Sequence, residues 1–178
     1  MAHYTDLVSP QGIGGFSNVV RENKTFGGYS YQLYLDPKLP ETQTFLEDLQ
    51  QRFADSIEKE KAEHPKAKVR ELNINKVSEK DPKDLQELDL IKLNFKSKNE
   101  PRLYDGNGNA IQLEREPGIG SQVRVAITTR SYTFANISGM TLYINGLYVL
   151  ENAQPKPREE PTFVQVPQQA TAVDDIGL

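Results

Sequence analysis

Between residues 88 and 151 the chain reads as one strand after another, and this limits what it can fold into more than any other feature. Leu88 to Lys98 places Ile91, Leu93 and Phe95 at alternate positions, with Lys92, Asn94, Lys96 and Lys98 between them. Gln122 to Arg130 repeats the pattern, setting Val123, Val125, Ile127 and Thr129 against Arg124, Ala126, Thr128 and Arg130. A period of two marks a strand that is dry on one face and wet on the other. Arg102-Leu103-Tyr104 and Ala110-Ile111-Gln112-Leu113 flank a tight turn at Asp105-Gly106-Asn107-Gly108-Asn109, and Met140 to Glu151 completes the set. Upstream, the aromatic, alternating run Tyr29 to Leu35 is a further strand, ended by Asp36-Pro37. Five or six short strands fit a small closed Greek-key barrel, because closure leaves few raw sheet edges.

One helix interrupts the strands. Phe45, Leu46, Leu49, Phe53 and Ile57 recur at helical spacing, Thr42 or Thr44 can cap the start, and His64-Pro65 stops it, giving a helix near 41–64. Its other face is charged, as expected of an amphipathic helix packed on a sheet. Residues 65–87 are rich in Lys, Glu and Asp with few apolar anchors, and read as a charged, mobile loop. The Ser9-Pro10-Gln11-Gly12 and Gly14-Gly15 punctuation near the start reads as turn and loop. After Glu151 the composition changes. Pro155, Pro157, Pro161 and Pro167 break any regular element, so 152–178 reads as a disordered, Pro-rich linker ending in the acidic-apolar tip Asp174-Asp175-Ile176-Gly177-Leu178. The domain proper is then 1–151.

Composition excludes much chemistry. Without Cys there are no disulfides, thiolate zinc sites or cysteine nucleophiles, and His3 and His64 are the only histidines. His3 stands close to the N-terminus and His64 precedes a helix-stopping proline, so neither is placed for catalysis. The many carboxylates of 41–89 lack an apolar, paired setting that would tune them for acid–base work. No apolar run approaches the roughly 20 residues of a membrane span, and no signal-peptide pattern opens the chain. The expectation is a soluble, non-enzymatic protein with no metal and no cofactor.

Two motifs tempt a different reading. Asp105, Asn107, Asn109 and Glu116 occupy positions 1, 3, 5 and 12 of a calcium loop, but position 6 is Ala110 where a sharp turn needs Gly, and strands flank it. A hairpin turn requires the same Asn and Gly residues for their positive φ angles, so the hairpin is the expectation. A metal-dependent hydrolase using Asp105 with Glu114 or Glu116 would rest on that hairpin alone. Gly12-Ile13-Gly14-Gly15 lacks the following helix that a phosphate-cradling loop needs.

The remaining signal is charge. The net charge of −4 hides a segregation: residues 1–40 balance, 41–89 carry −4, 90–150 carry +3 and 151–178 carry −3. The strand-rich stretch is therefore the basic one. If the strand after Gly120 continues without a bulge, Arg124, Arg130, Tyr132 and Phe134 share a face, as do Lys92, Lys96 and Lys98 on a neighbouring strand. Arg102 and Tyr104 add a cation and a ring nearby in sequence. Cations for phosphates, interleaved with rings for bases, are what a sequence-tolerant binder of single strands requires. A solvated polar face with Phe134 turned into the core uses the same residues and stands as the plain alternative.

The stretch from Gly120-Ser-Gln-Val-Arg-Val-Ala-Ile to Tyr132-Thr-Phe134-Ala-Asn-Ile-Ser-Gly139, followed by Thr141-Leu-Tyr-Ile-Asn-Gly-Leu-Tyr-Val-Leu-Glu151, resembles bacteriophage single-stranded-DNA-binding replication proteins of the podophage type. Those proteins show a Gly-Ser-x-basic-apolar strand, a Tyr-x-aromatic pair, a small turn and an apolar strand ending in Glu. The likeness spans roughly 1–151 and is strongest over 118–151. It implies an OB-fold with an inserted helix and an acidic C-terminal tail. It further implies a protein that coats single-stranded DNA in replication, recombination and repair, in the cytoplasm of a bacterial host. Carried over by residue, Arg124 is the basic strand position, and Tyr132 and Phe134 are the aromatic pair. The tail here is shorter and less acidic than in that family. Its tip is similar to the Asp-Asp-Ile-Pro-Phe ending of bacterial single-strand-binding proteins, which implies that Asp174, Asp175, Ile176 and Leu178 contact polymerase and helicase–primase; the family's tail also mediates homodimerisation. The expected DNA-binding set is Lys92, Lys96, Arg102, Tyr104, Arg124, Arg130, Tyr132 and Phe134. The competing function is an OB-like protein–protein interaction module that binds no nucleic acid.

Overall fold

The structure is a computed structural model and describes residues 7–80 and 87–153. Among these described residues, nine strands and one helix follow in the order β1 (Leu7–Val8), β2 (Gly12–Asn18), β3 (Tyr29–Leu35), α1 (Pro40–Glu63), β4 (Lys68–Val69), β5 (Asn75–Lys80), β6 (Glu87–Ser97), β7 (Arg102–Asp105), β8 (Gln122–Phe134) and β9 (Ile137–Glu151). Five of them, β8-β2-β3-β6-β9, form a circuit that the β8–β9 pairing closes. The pairings within it are antiparallel except β6–β9, which is parallel and meets at Lys96 and Tyr143. The mainly β architecture is thus a closed five-stranded barrel with one helix, as expected for an OB-fold.

Alternation decides which side chains fill it. Leu33 and Leu35 of β3, Ile91, Leu93 and Phe95 of β6, Val123, Val125 and Ile127 of β8, and Ile144, Leu147 and Val149 of β9 are all buried in one core. The helix adds Phe45, Leu49, Phe53 and Ile57 to that core and packs on β8 and β9. The 3.6-residue period of these four residues puts them on one stripe, and their burial rather than intrinsic propensity is what holds the helix in place.

Several local expectations change. The helix begins at Pro40, whose fixed φ and missing N–H suit the first helical position, and Leu39 at the N-cap offers no side-chain bond. Thr42 is buried inside the helix and does not cap it. The stretch read as a charged loop contains two strands, β4 against β9 and β5 against β6. Their own apolar signal is weak, and the ordered neighbours supply the hydrogen bonds. The early glycines are not loop either: Gly12, Gly14 and Gly15 lie in β2. A Cβ on Gly14 would stand 2.1 Å from the Tyr31 hydroxyl, and one on Gly15 2.6 Å from the Tyr34 ring. Those rings cross β2 so closely that only glycine leaves room. Of the expected strand 110–113, a bridge from Ala110 to Tyr104 and a hydrogen bond from Ile111 N to Leu103 O remain. Asn152 and Ala153, read as linker, are still tied to the barrel: Asn152 accepts from Gly118 N at 3.2 Å, and Ala153 N donates to Ser121 Oγ at 3.0 Å.

Candidate nucleic-acid interface

The outer face of β8 is set by an unbroken alternation. Its bulges against β9 fall on the partner strand, so Arg124, Arg130, Tyr132 and Phe134 keep one parity along thirteen residues. On β9 the bulges matter. Ala126 pairs with Gly146 and Ile127 with Ile144, leaving Asn145 as the extra residue. That one-residue insertion brings Tyr143 and Tyr148, five positions apart, onto the same outer face.

The registers then build rows of side chains across the wall. In the first, Tyr104 of β7 lies beside Tyr148 of β9, which lies opposite Arg124 of β8. The Tyr104 and Tyr148 rings stack with centroids 4.9 Å apart and planes at 22°. Gly146 makes this possible, since a Cβ there would sit 3.2 Å from the Tyr104 ring. Arg102 is exposed on the same face, beside Gly146. A groove of about 980 Å³ opens next to it, lined by Arg102, Tyr104, Leu103, Ile111, Leu113 and Val20. In the second row, Ser30, Lys96, Tyr143 and Thr128 follow one another across β3, β6, β9 and β8. Lys92 projects from the same face of β6, opposite Tyr34. At the far end of β8, Tyr132 lies over Gly139, its hydroxyl 2.6 Å from where a Cβ would stand, and Phe134 at the hairpin tip is 79% exposed.

All eight expected DNA-binding residues therefore lie on the outer wall, in three groups: Arg102, Tyr104 and Arg124; Lys92 and Lys96; and Arg130, Tyr132 and Phe134. Phe134 is not a core residue. Sequence reasoning missed Tyr143 and Tyr148, the rings that connect the first two groups. The signal was present as alternation in Thr141 to Tyr148, but the bulge at Asn145 breaks its parity. The tail residues Asp174, Asp175, Ile176 and Leu178 lie outside the described residues, as does His3.

The acidic candidates have structural employment. Asp105 accepts from the backbone N–H groups of Asn107 at 2.9 Å and Asn109 at 3.0 Å, so its carboxylate closes the hairpin turn. These bonds, that from Asn109 foremost, hold its carboxyl below the usual range. Glu116 is turned away to the end of β2 and the turn after it, where it accepts from Ser17 Oγ at 3.1 Å, Val20 N at 2.8 Å, Arg21 N at 3.2 Å and Val19 N. The two carboxylates thus serve different segments and form no shared calcium loop. The helix end does gather Glu60, Glu63 and His64 within metal-ligand reach of one another, with Glu60 buried and the others exposed. No helix among the described residues is long and apolar enough to cross a membrane.

No protein-family model matches the sequence, and no curated protein is similar to it in sequence. Solved structures are similar in fold. The single-stranded DNA-binding protein gp2.5 of bacteriophage T7 superposes with a TM-score of 0.61 at 16% identity, over 88% of this chain and 97% of that one. The single-stranded DNA-binding protein of bacteriophage Enc34, C-terminally truncated, gives 0.63 at 14% identity, over 84% and 88%. The same Enc34 protein in complex with single-stranded DNA gives 0.63 at 12%, over 85% and 89%. At such identities the likeness speaks to architecture: this chain has the fold of these phage single-stranded DNA-binding proteins, an OB barrel carrying one helix.

Proposed function

We propose that the protein binds single-stranded DNA along the outer wall of β7, β9, β8 and β6, without catalysing a reaction. The observation that carries this reading is the row Tyr104–Tyr148–Arg124, with Lys96–Tyr143 beside it, on a barrel shared with phage proteins that bind single-stranded DNA. Lys92, Lys96, Arg102, Arg124 and Arg130 neutralise phosphates, and each contact releases condensed counterions. Tyr143, Tyr148, Tyr104, Tyr132 and Phe134 offer ring faces and edges to bases, a contact indifferent to base identity. Such a protein coats unpaired strands, and the fitting setting is phage replication, recombination and repair inside a bacterial cell. The acidic tip at Asp174, Asp175, Ile176 and Leu178 would compete for the cationic wall, leave it when DNA arrives, and recruit replication proteins; self-association through the tail belongs to the same reading.

The test is a fluorescence-polarisation titration of the full chain with labelled oligo-dT at two salt concentrations. Saturable binding that weakens steeply with salt is expected. Absence of binding at low salt would leave the barrel as a protein-interaction module.

A further inference from the structure

β4 lies within the charged stretch 65–87 and contributes none of the eight expected DNA-binding residues. Its placement says otherwise. Lys68 N donates to Asn136 O at 2.9 Å and Arg70 N to Ser138 O at 2.8 Å, so residues 68–70 run parallel to the start of β9. In a parallel ladder, residues in register point to the same side. Lys68 is in register with Ile137, which pairs with Phe134; Val69 is in register with Ser138, which pairs with Thr133. Val69 packs inward against the core and Ser138 is buried, so Lys68 and Arg70, both exposed, take the outer face. Arg70 comes level with Gly139, over which the Tyr132 ring lies.

We infer that Lys68 and Arg70 form a phosphate-binding subsite for single-stranded nucleic acid together with Tyr132, Phe134 and Arg130, at the hairpin end of the wall. The same cation-beside-ring arrangement that stands at Tyr148–Arg124 and at Lys96–Tyr143 is repeated here, on a third set of strands. From Arg124 to Phe134 is ten residues of β8, about 34 Å at about 3.4 Å per residue. The subsite therefore extends the contact path along the length of the β8–β9 hairpin, and only a strand long enough to span it engages both ends. A polyanion is the ligand because this end of the wall offers two exposed cations at Lys68 and Arg70 and a third at Arg130, with the Tyr132 and Phe134 rings beside them.

This inference rests on the proposed DNA binding, and the experiment separates the two. Wild type and the K68A/R70A double variant are titrated with oligo-dT of about 4 and about 16 nucleotides, the span of known OB-fold site sizes, across a salt series. With the longer strand the slope of log K against log salt should flatten by about 1.4 in the variant, two contacts at about 0.7 each. With the shorter strand the change should be smaller, because it can sit wholly at the Tyr148 end. The K68R/R70K variant should restore the slope, and an unchanged thermal melt shows that the fold is intact. Equal slopes for wild type and K68A/R70A on the longer strand overturn the subsite while the DNA-binding reading stands. No binding by wild type at either length overturns both.

Discussion

The Tyr104 ring rests on the Tyr148 ring, 4.9 Å between centroids and 22° between planes, and so ties the short strand β7 to β9 at the point where Arg124 faces them. The pair is a small apolar platform beside a cation on the outside of the barrel, held by main-chain register on both sides. Offset-stacked rings stabilise one another beyond the area they bury, so each tyrosine fixes the other's orientation before any ligand arrives.

Tyr148→Ala should weaken oligo-dT binding by about 1–3 kcal/mol with little change in salt slope, since a ring contributes stacking and not charge. Tyr104→Ala should behave similarly, and the double variant should lose less than the sum of the two, because each single change already disturbs the pair. Titration of the four proteins at one salt concentration measures this; strict additivity would mean the rings act independently.

Gly14 and Tyr31 make a steric prediction. The buried Tyr31 hydroxyl occupies the space a Gly14 side chain would need and has no hydrogen-bond partner among the described residues. Burial first, and the charge of Glu116 second, push that hydroxyl well above the ordinary phenol range. Gly14→Ala should cost about 1–3 kcal/mol of stability by overpacking. Tyr31→Phe should be close to neutral, as it removes an unsatisfied polar atom, and should recover much of the loss in the double variant. Chemical denaturation of the three variants gives the comparison, and a Gly14→Ala protein as stable as wild type would contradict the packing described.

Glu116→Ala should destabilise the fold by about 1–3 kcal/mol, because it strands the N–H groups of Val19, Val20 and Arg21 that its carboxylate now satisfies. Thermal melts would register the loss, while oligo-dT affinity measured well below the melting temperature should hold.

Asp105 carries a pH signature. Hydrogen bonds from Asn109 and Asn107 lower its pKa in the fold, so its contribution is present above the unfolded carboxylate value, about 4, and fades as pH falls through the lower folded value. The stability difference between wild type and Asp105→Ala should thus be largest near neutral pH and shrink in acid. Melts at several pH values from neutral down to about 3 would show it; a difference that grows in acid would contradict the turn geometry.

The legible part of this molecule was where one residue's face determines the next. β3, β6 and β8 could be read because Leu33, Leu93 and Val125 repeat a strict alternation, and α1 because Phe45, Leu49, Phe53 and Ile57 keep a helical stripe. Elements that depend on partners distant in sequence were not legible. β2 looks like loop because its glycines answer to Tyr31 and Tyr34, whose approach no local pattern announces. β4 and β5 look like loop because their order comes from β9 and β6. The wall itself was half legible: the unbroken parity of β8 exposed Arg124, Arg130, Tyr132 and Phe134, whereas the extra Asn145 concealed that Tyr143 and Tyr148 belong with them. Glu116 fitted a calcium-loop spacing, yet its partners lie about a hundred residues upstream.

Amide-shift mapping of the labelled protein with oligo-dT shows whether the outer wall holds an unpaired strand. Saturable shifts centred on Tyr104, Arg124, Tyr143, Tyr148 and Lys96 are expected, reaching Tyr132 with longer strands. Shifts confined to α1 or β5, or none at concentrations that saturate binding, would contradict it.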